Sequence, residues 1–270
     1  MIPELPWLWA ALVAYVFAGS LAAGGLVLGR LPERAVLALL CAGLLLHTVS
    51  IGIRWERVSH GPFITMFEIL SSNLWSLLLF YTAVFARVKA VRPSSAFVLP
   101  VLFVMMGWLL VTRPGEGHFP ATYRTVWLYV HVGLGKVFLG AVLVAVGLAC
   151  IVLARSRGIG VARFADLPSS ERLSELAFRF LALGLVFETL MLITGAIWAQ
   201  NAWGRYWAWD PLETWSFLTW LMLAFTLHLR ATLRVAPPVG AVLVLATFGV
   251  AFLTFFGVPF LSTAPHKGAV

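Results

Sequence analysis

The chain has 270 residues, 61% of them hydrophobic and only 11% charged, and its mean hydropathy is +0.95. That balance excludes an ordinary water-soluble domain and indicates a chain that crosses a bilayer several times. The net charge of +8 does not call for nucleic acid, because surplus Lys and Arg in such a protein mark the loops kept in the cytoplasm.

Eight apolar runs follow one another, over roughly 7–29, 35–53, 67–86, 93–112, 126–154, 173–200, 211–230 and 238–259. Each is long enough for a transmembrane helix. The expected fold is therefore all-α: a polytopic membrane helix bundle of about eight transmembrane helices. No polar loop is long enough to fold by itself, so 1–270 is expected to be one integral-membrane domain. The first run has no basic segment before it and reads as a retained span rather than a cleaved signal. Cys41 and Cys150 lie inside apolar runs and there is no CxxC, so neither a thiol relay nor a covalent haem attachment site is expected on this chain. Pro32, Pro93, Pro211, Pro237 and Pro238 fall at the starts of runs, where a missing N–H costs little. Pro100 falls inside the fourth run and is expected to kink it.

The loops after the first, third, fifth and seventh runs hold eleven Lys and Arg, against six on the opposite side. The bias places both termini and the loop before the seventh run outside the cytoplasm.

That loop is the most unusual stretch of the chain. Trp203 to Trp215 reads WGRYWAWDPLETW, and the segment 198–220 holds Trp198, Trp203, Trp207, Trp209 and Trp215 around a single aspartate. An interfacial belt needs only one or two indoles per helix end, whereas a dense shelf suits a large, flat, apolar ligand. Asp210-Pro211-Leu212-Glu213 is also a helix start, with Asp as cap, Pro at the first helical position and Glu three residues after the cap.

Six histidines separate by depth. His60 and His118 fall in outer loops and read as exposed surface residues, His131 lies about one turn inside the fifth run, and His266 follows the eighth. His47 lies roughly 20 Å above the inner face, and His228 near that face. Imidazole is a common axial ligand of haem iron, and porphyrin is a flat apolar ligand of the required kind. His47 and His228 differ in height by roughly 15 Å and cannot share one iron, whereas His131 and His266 occupy the same side and could. Two carboxyls lie within apolar runs. Glu68 sits at the outer edge of the third and is expected to reach water. Glu188 lies roughly 15 Å below the Trp-rich loop and is expected to face the bundle interior, bonded to Lys136 or to a neighbouring helix.

The stretch TGAIWAQNAWGRYWAWDPLETWSFLTW resembles the tryptophan-rich signature of haem-handling membrane proteins. Its WDPxETW form resembles the integral-membrane subunit of the System II cytochrome c synthase, the CcsA/ResC family. RWERVSHGPFITMFEIL, WLYVHVGLG, LHLR and FFGVPFLSTAPHKG are similar to further segments of that family. The resemblance implies haem b as substrate and bound ligand, with His131 and His266 as axial ligands of an exterior haem held against Trp198, Trp203, Trp207, Trp209, Asp210 and Trp215. It implies His228 as ligand of a second, intramembrane haem whose opposite ligand comes from a CcsB/ResB-type partner subunit. The implied activity is that of a cytochrome c haem lyase, joining haem to the CXXCH thiols of apocytochrome c. The implied location is a bacterial-type cytoplasmic membrane or its thylakoid equivalent. The rival readings are a haem exporter or chaperone that hands haem on without forming the bond, and a b-type electron-transfer protein, which needs two ligands at one depth within the bundle that this chain does not supply alone. Leu212 stands where the family usually has Lys, and Glu188 where it is usually apolar. Arg124 and Arg205 are outer-side candidates for the haem propionates.

Overall fold

The computed structural model describes residues 2–159 and 167–261. Eight long helices account for most of it: α1 (Leu5–Leu28), α2 (Glu33–Val58), α3 (Met66–Arg87), α4 (Ser95–Val111), α5 (Val126–Ser156), α6 (Ser170–Trp203), α7 (Pro211–Thr232) and α8 (Pro237–Phe252). A π-helical turn, Leu253–Gly257, joins α8 to the short α9 (Val258–Leu261). Their bounds lie within a few residues of the apolar runs, because length and hydropathy alone fix where a span can be. Pro32, Pro211 and Pro237 stand at helix starts, and α4 continues as helix through Pro100. Seven helices among the described residues are long and apolar enough to cross a membrane, α4 counted with the 3₁₀ turn before it and α8 with its π turn. The eighth, α7, matches them in length but carries Glu213, His228, Arg230 and five hydroxyl residues. Leu28, Leu45, Val104, Val186, Phe225 and Val242 are exposed, as side chains facing lipid would be.

The chain forms two compact units. The first comprises Met1–Gly117 and Ala154–Ser169, and the second His118–Leu153 and Ser170–Val270. In the first, α1 packs on α2 and α4, and α3 on α2 and α4. Small residues permit the close approach that membrane helices use in place of a hydrophobic driving force. Gly43 gives way to the Tyr15 ring and Gly19 to the Phe103 ring. Polar bonds tie the same helices together. His47 is fully buried, with Nε2 2.9 Å from Ser71 Oγ and Nδ1 3.4 Å from the Tyr15 hydroxyl, so it joins α1, α2 and α3. Trp75 donates its indole N–H to Thr48 Oγ1 at 2.8 Å.

In the second unit, α6, α7 and α8 pack on one another, and α5 lies against α6. Pairs of hydroxyls seal α7 to the last segment: Thr226 with Thr247 at 3.1 Å, and Thr219 with Thr254 at 2.8 Å. A Cβ on Gly135 would lie 2.8 Å from Met191 Sδ, one on Gly184 3.2 Å from Val142 Cγ2, and one on Gly195 2.8 Å from the His131 ring. These three contacts define a single antiparallel register between α5 and α6. Extending it places Glu188 opposite Phe138.

Candidate functional site

The Trp-rich loop is pinned at both ends. Upstream, α6 runs to Trp203, and Gly204 then takes a left-handed backbone, φ 73°, which ends the helix. Downstream, Asp210 caps α7: its carboxylate accepts from Glu213 N at 2.9 Å, and Glu213 reaches back to the Asp210 N–H. Glu213 also accepts from Ala208 N at 2.7 Å, so one buried carboxylate gathers two loop amides. This is the capping box that the sequence pattern predicts. Between the anchors Trp209 is held at φ 59°, a conformation that costs a non-glycine residue of order 1–3 kcal/mol. Its side chain is 66% exposed, and Tyr206 beside it is 61% exposed.

His131 lies one turn inside α5 and is half-buried. Its Nδ1 is 2.9 Å from the Met191 carbonyl oxygen of α6. A carbonyl only accepts, so Nδ1 carries the proton and the ring's lone pair is on Nε2. The ring stacks on Trp198 with centroids 5.9 Å apart and planes 23° apart. Trp198 in turn meets Trp203 at 4.9 Å and Tyr123 at 5.2 Å, both edge to face. A second aromatic chain runs from Trp207 through Trp209 to Phe217 and Trp220. His131 borders a cavity of about 60 Å³, lined also by Met191, Gly195, Trp207, Glu213, Ser216, Phe255 and neighbours. The Trp207 indole N–H is buried with no hydrogen-bond partner among the described residues.

The other histidines fall elsewhere. His266 lies outside the described residues. His228 is exposed on α7, on the face that also exposes Leu218, Leu221 and Phe225. It stands seventeen residues beyond Pro211, roughly 26 Å along the helix. His118, Arg124 and Arg205 are exposed. His60 is not the surface residue that its loop position suggests: it is buried, with Nδ1 2.9 Å from the Gly61 carbonyl. No cluster of three His, Cys, Asp or Glu that could hold a bare metal ion exists among the described residues.

Glu68 also departs from expectation. It does not reach water. It is buried at the start of α3, where it completes the capping box of Thr65, accepts from Ile64 N and bonds Arg54 Nε at 2.9 Å. Arg54 is buried too. It reaches Glu4 at 3.1 Å and the Gly115 carbonyl at 2.5 Å, and its guanidinium lies 5.0 Å from the centroid of the Phe67 ring. Arg57 adds bonds to Glu4, at 2.6 Å, and to Glu116. Burial pushes the Glu4 carboxyl up, but the Arg57 hydrogen bond and the charges of Arg57 and Arg54 outweigh it and hold Glu4 below its ordinary value of 4.5. No sequence pattern announces these pairs, since Arg54 stands 14 residues from Glu68 and 50 from Glu4. Glu188 faces the interior as expected and is fully buried. Neither of its oxygens meets a hydrogen-bond partner among the described residues, so the expected bond to Lys136 or to a neighbouring helix is not formed.

The family described as Cytochrome C assembly protein matches residues 35–266. Among similar proteins, the "Cytochrome c biogenesis protein CcsA" of Prochlorococcus marinus (strain MIT 9301) is 29% identical over 249 residues, covering 83% of this chain and 81% of the relative. The protein of the same name from Guillardia theta is 28% identical over 244 residues, covering 82% and 80%. That from Trieres chinensis is 27% identical, covering 88% and 87%.

Proposed function

This chain belongs to the cytochrome c assembly family, and we propose that within it the chain binds haem beside the Trp-rich loop and supports its covalent attachment to apocytochrome c. The observation that carries the proposal is His131. Ligating histidines almost always donate their second ring N–H to a carbonyl or carboxylate, which fixes the tautomer and raises the basicity of the other nitrogen. His131 is arranged in this way by Met191, within the aromatic cluster of Trp198, Trp203 and Tyr123.

The residues suit a porphyrin at the surface rather than in the interior. The cavity of about 60 Å³ is far smaller than the roughly 300–1,000 Å³ of a small-molecule pocket. The exposed rings of Tyr206, Trp209 and Trp215 offer the apolar face instead. Arg124 and Arg205, both exposed, are suited to the propionates. In this reading His131 supplies one axial nitrogen and His266 the other. The bound group, haem b, is the substrate and supplies the vinyl carbons and the iron. Each cysteine thiol adds across a vinyl double bond: an S–C and a C–H bond form, the S–H and C=C π bonds are lost, and no net electron transfer occurs. That addition needs little acid–base machinery from the protein. The task of this chain is to hold, orient and leave open.

His228 supports a second, inner site. It is exposed on an otherwise apolar face of α7, which is where a ligand shared with a CcsB/ResB-type partner subunit would have to be. The membrane is proposed to be a bacterial-type cytoplasmic membrane or thylakoid equivalent, with the Trp-rich loop on the extracytoplasmic side.

The test is co-production of the chain, its partner subunit and an apocytochrome with a CXXCH motif. Haem that stays on the cytochrome after acid–organic extraction supports the synthase reading. Haem bound to the chain with only extractable haem on the cytochrome supports an exporter or chaperone. No haem on either overturns the proposal.

A further inference from the structure

We infer that Gly195 is a positioning residue for His131: the missing side chain at 195 is the notch that seats the imidazole and lets Nδ1 reach the Met191 carbonyl. The inference rests on the reading of His131 as an iron ligand. A Cβ at position 195 would lie 2.8 Å from both Cε1 and Nδ1 of His131, closer than any ordinary contact. The ring has nowhere simple to go. Its Nδ1 is bonded to Met191 at 2.9 Å, and its plane is stacked on Trp198, one turn further along α6. Gly195 and Met191 sit one turn apart on α6, so a single helix face provides both the notch and the acceptor. With Nδ1 bound there, the lone pair is committed to Nε2, the nitrogen that would ligate iron in the proposed reading.

The same helix pair contains its own control. Gly135 of α5 takes the side chain of Met191 as Gly195 takes His131, and a Cβ there would lie 2.8 Å from Met191 Sδ. That atom is near the end of a flexible, unbranched chain that can rotate aside. Gly195→Ala and Gly135→Ala therefore both add a methyl group to the α5–α6 interface, but only the first presses on the imidazole.

The experiment uses the full chain purified with its partner subunit, with haem binding followed by absorption and electron paramagnetic resonance. Outer-shell changes around a ligating histidine typically cost roughly 10–100-fold in affinity. Gly195→Ala is expected to lose haem affinity on that scale and to shift the low-spin signal, as His131→Ala does, while Gly135→Ala stays close to the parent. If His131→Ala removes the ligation and Gly195→Ala does not, the inference fails and the reading of His131 stands. Equal losses in both glycine variants also overturn it, because general packing then suffices. An unchanged spectrum in His131→Ala overturns the ligand reading itself. Should Gly195→Ala not fold, nitrogen-15 histidine NMR of the haem-free parent decides: a proton on Nδ1 is expected, and a proton on Nε2 alone refutes the notch.

Discussion

Arg54 of the first unit and Glu188 of the second are both charged residue types buried within their own unit, and their surroundings are opposite. Arg54 contacts Glu4, Glu68 and the Gly115 carbonyl, and Arg57 and Glu116 extend the network. Glu188 has neither oxygen bonded among the described residues. In the aromatic part of the second unit, Trp207 has a buried indole N–H with no partner among the described residues, and Trp209 keeps a left-handed backbone. A saturated network holds elements together and has no capacity left for a ligand. Unsatisfied groups and strain weaken the fold, and they concentrate where binding needs them. The contrast is one between the ion-pair network around Arg54 and the unbonded carboxyl of Glu188 rather than between whole units, since among the described residues Ser59 of the first unit also has a left-handed backbone and Thr82 a buried, unbonded hydroxyl.

The largest effect expected from breaking this contrast is at Arg54. Arg54→Ala strips the buried Glu68 of its guanidinium partner and leaves Glu4 to Arg57 alone, and should destabilise the chain by about 3–5 kcal/mol, read as a lower unfolding midpoint in detergent. A loss under about 1 kcal/mol would place the network among weak surface pairs. Glu188→Leu should have the opposite sign, stabilising by about 1–3 kcal/mol, since it removes an unbonded polar group from the interior. Destabilisation by Glu188→Leu would mean that the carboxyl has a partner and that the two regions are alike. Asp210→Ala is expected to cost about 1 kcal/mol through the lost helix cap and to release one end of the Trp-rich loop, so haem affinity should fall more than stability does. Equal losses would reduce the cap to a structural device.

The smallest effect is a pH dependence confined to the first unit. Glu4 is held below its ordinary value, so its contribution to stability is complete above 4.5 and is lost as the pH falls through the lower folded value. Unfolding midpoints should therefore drop on acidification below 4.5, and Glu4→Gln should flatten that slope. An unaltered slope in Glu4→Gln would remove Glu4 from the network.

The sequence by itself determined the spans, because twenty or so apolar residues can satisfy their backbone in lipid only as a helix. It also determined the start of α7, because Asp210, Pro211 and Glu213 act within four residues of one another, and the density of indole in the loop. Tertiary structure alone decided the rest. Glu4 meets Arg54 across 50 residues, and no local pattern announces a pair so distant. His60 and Glu68 are buried although their positions in a loop and at a helix start suggest exposure, and Glu68 is held there by Arg54 and by the amides of Ile64 and Thr65. In a water-soluble helix, polar and apolar faces would have revealed which side of α6 turns inward. In a membrane both sides are largely apolar; Glu188 alone marked the inward side of α6, and the register of α6 against α5 was set by where Gly184 and Gly195 admit their neighbours, which depends on α5 being there to fill the space.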